Sequence, residues 1–124
     1  MTEDQLEQET LAWLQEVGYT HLYGPDIAYD GARPERADYR HVQLAFRLRE
    51  AIHKLNLDIP VAAREDALKQ ILDLGIPSLL SANRHFHKLL VGGVPVQYQR
   101  DGETRGDFVR LIDWAHPERN EWLA

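Results

Sequence analysis

The sequence predicts an α+β fold, about four helices followed by a β-hairpin. Three observations carry that prediction. Apolar residues recur at helical spacing as far as Gly93, the period drops to two from Val94 onward, and Asp101-Gly102 separates two strand-like runs as the strongest hairpin signal in the chain. Helices first and strands second is the order of an α+β domain rather than of repeated βαβ units.

Each element has local reasons. Thr2 and Gln5 have the spacing of a capping box, and Glu3 and Asp4 follow where a helix dipole favours acids. Leu6, Thr10, Trp13, Leu14 and Val17 mark the first helix, with Glu7, Gln8, Gln15 and Glu16 largely on its other face and Gly18 as its terminator. Residues 19–36 read as a loop, because Gly24-Pro25, Asp30-Gly31 and Arg33-Pro34 are turn chemistry. Within it, Ile27 to Tyr29 is the piece expected to be extended and to pair with a sheet edge. A long helix is expected from about Ala37 to Leu55, with Leu44, Leu48, Ala51, Ile52 and Leu55 on one stripe. Pro60 suits the first turn of a third helix that carries Ala67, Leu68, Ile71 and Leu72 and ends at Gly75. Ser78 is a cap for a fourth helix bearing Leu79, Asn83, Phe86, Leu89 and Leu90, closed by Gly92-Gly93.

Beyond Gly93, Val94, Val96 and Tyr98 alternate with Pro95, Gln97 and Gln99, and Phe108 to Ile112 is apolar enough for the return strand. The last stretch contains Pro117 and Asn120 and closes on Trp122-Leu123-Ala124, an apolar run that only begins, so the sheet is expected to be unfinished. Trp13, Leu48, Leu72 and Phe86 are expected inside, where each such side chain contributes about 1.5–3 kcal/mol.

The bulk numbers narrow the function. A chain of 124 residues fits one core without a second domain, and its 44% apolar and 27% charged residues are a globular balance. It has no cysteine, which excludes zinc-thiolate sites, disulfide frameworks and thiol nucleophiles. A net charge of −6 argues against the chain being a main grip on duplex DNA, since phosphate binders carry a basic excess, but leaves room for a local cationic patch. The apolar stretch Leu89 to Val96 falls far short of the roughly 20 residues of a spanning helix. The acidic opening MTEDQLEQET is the opposite of a leader, so the protein is expected to be soluble and cytoplasmic.

Catalytic signatures are mostly absent. The three lysines, Lys54, Lys69 and Lys88, follow no glycine-rich phosphate loop, and there is no Gly-x-Ser-x-Gly elbow. A magnesium nuclease of the restriction type needs carboxylates for the metal and a lysine for the attacking water, usually as Asp, then acid-x-Lys. No Asp or Glu here has Lys at the second position after it. Pro25-Asp26 mimics the first half of that signature without a second half and is better read as a turn. His85 and His87 flank Phe86 two residues apart and do not share a helix face, so they are a poor metal pair. Joining His85 to His21, His41, His53 or His116 depends on the fold. Arg36, Arg40, Arg47 and Arg49 are the main basic concentration, read as solvated positions near Glu35, Asp38 and Glu50, with a DNA or partner-subunit contact as the alternative.

The order of motifs goes further. LEQETLAWLQEVGY, GPDIA, RLREAIHKLN, NRHFHKLLVGGVPVQYQRDGETRGDFVRLIDW and PERNEWL occur in that order over essentially the whole chain. Together they resemble the amino-terminal part of the R (restriction) subunit of type I restriction–modification endonucleases. The resemblance implies that residues 1–124 are the amino-terminal portion of the nuclease domain, an incomplete restriction-endonuclease-like (PD-(D/E)xK) fold. It also implies a far longer parent chain, a type I site-specific deoxyribonuclease that translocates DNA with ATP and cleaves both strands with Mg2+. Its implied partners are double-stranded DNA and the methyltransferase (M) and specificity (S) subunits, with no membrane. Neither Mg2+ nor ATP is expected to bind tightly to these residues alone, which would be mainly scaffold. Glu7 matches the acid of the family's opening motif and is the candidate catalytic and metal-binding residue, a helix-borne carboxylate with Glu3 as a weaker substitute. The alternative is a self-contained acidic protein-interaction module with no catalysis; a metal-dependent enzyme built on the histidines is a third reading.

Overall fold

A computed structural model describes residues 1–38, 40 and 42–124. In chain order the elements are α1 (Glu3–Glu16), α2 (Gly24–Ile27), α3 (Ala45–Leu55), α4 (Val61–Leu72), α5 (Leu79–Gly92), β1 (Val94–Arg100) and β2 (Glu103–Val109), with a 3-10 turn at Pro117–Arg119. The arrangement is α+β, helices first and then a two-stranded antiparallel sheet. The chain divides into two compact units, Met1–Val42 with Glu118–Ala124, and Gln43–Pro117.

In the larger unit α4 packs on both β1 and α3. Ala63, Ala67, Leu68 and Ile71 of α4 meet Ile52 of α3, Leu89 of α5, Val94 and Val96 of β1, Val109 of β2, and Ile59 and Leu111. Leu48 and Phe86 pack against this cluster partly buried, as expected. Leu72 and Trp13 do not follow the expectation, being 41% and 60% exposed. The buried residues of α4 are Ala63, Ala67, Leu68 and Ile71, and Leu72, the last residue of the helix, stands outside them. On α1 the half-buried positions are Leu11 and Leu14, which turns Trp13 outward.

Helix ends follow their caps. Thr2 Oγ1 accepts from the Gln5 main-chain N–H at 3.2 Å, and Gln5 Oε1 accepts from Thr2 at 2.9 Å, so the capping box is reciprocal. Ser78 caps α5. Pro60 sits one position earlier than expected, at the cap of α4 rather than in its first turn. The helix expected from Ala37 begins only at Ala45. Asp38 Oδ1 accepts from the Arg40 main-chain N–H at 2.6 Å, a local turn that competes with helix, and Leu44 offers no side-chain cap. Tyr39 and His41, which fall in that stretch, lie outside the described residues. The extended piece expected at Ile27 to Tyr29 is instead a single helical turn. Pro25 opens it, and the Ala28 N–H donates to the Gly24 carbonyl.

The return strand also begins earlier than Phe108. Asp101 and Gly102 both have positive φ, 54° and 79°, the mark of a two-residue turn that pairs its flanking residues at once. Arg100 therefore faces Glu103, and the register runs to Val94 opposite Val109. The residues from Glu103 to Phe108 are exposed, so apolar character does not mark this strand. In the smaller unit, Thr20 forms a parallel bridge with Leu123. The Thr20 and Leu22 N–H groups donate to the Trp122 and Ala124 carbonyls at 2.7 and 2.9 Å, and the Ala124 N–H returns to Thr20 at 2.8 Å. Tyr19 lies against Trp122 with ring centroids 5.8 Å apart.

Candidate functional site

Glu7 lies on the exposed surface of α1. It stands four and seven residues before Leu11 and Leu14, so it shares their face of the helix rather than the opposite one. Glu3, one turn earlier, continues that line into the first turn. The face that carries the candidate acid is thus also the face that α1 turns inward.

The segment from Tyr23 to Arg36 is tightly built. Within it the Gly31 N–H donates to Ala28 at 2.9 Å, the Arg33 N–H to Asp26 at 2.8 Å and the Glu35 N–H to Ile27 at 2.9 Å. Gly31 lies so close to the Pro25 and Asp26 carbonyls that any Cβ there would overlap them. A cleft of about 550 Å³ opens between Gly24, Pro25, Ile27, Ala28, Asp30 and Arg36. Pro25-Asp26 accordingly serves a compact turn, and Arg36 of the basic concentration borders the cleft.

Arg49 of that concentration and His53 join a network between α3 and α4. Glu65 Oε1 accepts from His53 Nε2 at 2.9 Å and lies 3.4 Å from Arg49 Nε. Arg64 donates through Nε to the Ile59 carbonyl at 2.6 Å and through Nη1 to His53 Nδ1 at 3.1 Å. Because arginine carries only donors, His53 Nδ1 must present its lone pair, which puts the ring proton on Nε2 facing Glu65. The His53 hydrogen bond, with help from Arg49, holds the Glu65 carboxyl below its usual range against a smaller opposing effect of desolvation. Arg47 is engaged as well. The solvated, paired reading of the basic concentration therefore holds for Arg49, through an acid on α4 instead of the neighbours in sequence.

His85 and His87 are exposed on different sides of α5, and His116 uses its main-chain N–H to donate to Asp113 at 3.0 Å. Among the described residues, no group of three or more His, Cys, Asp or Glu side chains is placed to hold a metal ion.

Asn56, which sequence reasoning passed over, holds the larger unit together. Buried at the end of α3, it donates through Nδ2 to the Ile52 and Arg110 carbonyls, both at 2.8 Å. Its Oδ1 accepts from the Arg110 main-chain N–H at 2.7 Å. A buried amide thereby ties the end of α3 to the exit of β2. The signal in the sequence was an asparagine directly after the last residue of an apolar stripe, at the end of the quoted RLREAIHKLN block.

The sequence model of the type I restriction enzyme R protein N terminus matches residues 1–124, and the chain belongs to that family. It is 36% identical over its whole length to the type I restriction enzyme HindI endonuclease subunit of Haemophilus influenzae, covering 12% of that protein. It is 28% identical over 122 residues to the putative type I restriction enzyme MjaIXP endonuclease subunit of Methanocaldococcus jannaschii, covering 96% of this chain and 11% of the relative. The chain thus spans about an eighth of the length of these relatives. No solved structure matches it. No helix among the described residues is long and apolar enough to cross a membrane.

Proposed function

We propose that these residues are the amino-terminal framework of the nuclease domain of a type I restriction enzyme R subunit. The complete subunit, with its methyltransferase and specificity partners, translocates DNA with ATP and cuts both strands with Mg2+ in the cytoplasm. The observation that carries this reading is the family match over residues 1–124, joined to a sequence without any acid-x-Lys triplet. A metal centre that needs both carboxylates and a lysine has to draw most of its groups from elsewhere in the parent chain. The match of nearly all of this chain to endonuclease subunits favours this reading over a free-standing interaction module.

In this reading the hairpin is the start of a restriction-endonuclease-like sheet, and Glu7 supplies one oxygen to the metal or holds a metal-bound water. The shared face of Glu7, Leu11 and Leu14 supports that role, because a carboxylate beside an inward stripe is held close to whatever the helix covers. The test uses the reassembled complex with and without Glu7→Ala. Magnesium-dependent cleavage is expected to fall by at least tenfold while DNA-stimulated ATP hydrolysis persists; unchanged cleavage removes Glu7 from the site.

A further inference from the structure

We infer that the outward face of α5 is a contact surface for the phosphate backbone of duplex DNA, centred on Arg84 and Lys88. The inference rests on the nuclease reading above. The helix, LLSANRHFHKLLVG, contains no acidic residue in a chain whose net charge is −6. Its inward face is made by Ala82, Phe86, Leu89 and Leu90. Arg84, His87 and Lys88 stand at i, i+3 and i+4 on the opposite side, with His85 at its edge one turn before Lys88, and all four are exposed.

What sets these side chains apart is that their helix offers them no acid. Among the described residues none of the four has a hydrogen bond or ion pair. Several other cations are engaged: Arg49 meets Glu65, Arg64 bonds His53 and the Ile59 carbonyl, and Arg100 donates to the Asp58 carbonyl over the Tyr98 ring. Lys54 follows Glu50 by one turn, and Lys69 follows Glu65 and Asp66. On α5 two like charges one turn apart repel each other with no acid to offset them, and a row of anions relieves that repulsion. An acidic protein surface is the less favoured occupant. The exposed apolar residues on this side, Leu80 and Val91, lie at its two ends about 16 Å apart along the helix, too far to form the desolvated centre of a protein interface. In an acidic molecule such a local patch is what lets a polyanion approach.

The test measures the affinity of the complete subunit for duplexes of unrelated sequence across a range of salt. Each lost phosphate contact lowers the slope of log K against log salt by about 0.9, so Arg84→Gln with Lys88→Gln is expected to lower it by about two, equally on every duplex. Arg84→Lys with Lys88→Arg keeps the charges and is expected to retain the slope, which separates charge loss from misfolding. Lys54→Gln with Lys69→Gln, the same charge removed elsewhere, is expected to leave the slope unchanged. An unaltered slope in the α5 variant, or an equal drop in both charge-removal variants, overturns the inference. Lost assembly with the other subunits at an unaltered slope also overturns it, in favour of an acidic protein partner. A complete subunit with no affinity for DNA at all overturns the nuclease reading together with it.

Discussion

Asn56 closes α3 with a buried amide that meets three main-chain groups, the Ile52 carbonyl and both the N–H and carbonyl of Arg110. Removing it leaves those groups without these partners. At about 1 kcal/mol for each bond, Asn56→Ala is expected to cost about 3 kcal/mol, read as a lower urea midpoint with an unchanged slope. Asn56→Asp keeps only the acceptor for Arg110 and buries a charge, so it is expected to cost at least as much at neutral pH. Glu65 makes a pH prediction with a definite sign. Its carboxyl is held low in the fold, so its contribution is fully present above the ordinary carboxylate range and is lost as pH falls through the lowered value. Glu65→Gln is expected to flatten the acid limb of the stability–pH curve below about pH 4.5 and to leave the region above pH 6 parallel to the parent. An identical acid limb in both proteins contradicts the His53–Glu65–Arg49 network.

At the scale of elements, α4 is where packing is most sensitive. Ala67 has no exposure and Ile71 has 1%, in the cluster that also holds β1 and α3. Ile71→Ala is expected to cost about 2–5 kcal/mol through lost burial and an unfilled cavity, and Ala67→Leu about 1–3 kcal/mol through overpacking, each measured by chemical denaturation. Elements whose ends rest on local chemistry were readable in advance. Thr2 with Gln5 and Ser78 announced α1 and α5, and Asp101-Gly102 announced the hairpin. The misses came where non-local terms decide. The start of α3 was lost to a turn at Asp38, the extent of β2 to a register fixed by the turn rather than by hydrophobicity, and the inward face of α1 to Leu11 and Leu14. The pairing of Thr20–Leu22 with Trp122–Ala124 joins residues a hundred positions apart, and no spacing in the sequence encodes it. Of the candidate site, the sequence singles out Glu7, whereas the face of α1 it occupies was not legible. The unpaired cations of α5 lay inside a quoted motif, but only an accounting of partners separates them from Arg49.

For the whole molecule, two compact units and an acidic surface carry a family identity that spans every residue. Carboxylates are plentiful in these residues, but no Lys stands two positions after an Asp or Glu. Stability belongs to the α3–α4–hairpin core. The most direct measurement is hydrolysis of duplex DNA by the isolated 124-residue chain in magnesium or manganese, set beside the complete subunit with its partners and ATP. The complete assembly is expected to cut and the isolated chain to leave DNA intact at every metal concentration; metal-dependent cutting by the isolated chain would contradict the framework role.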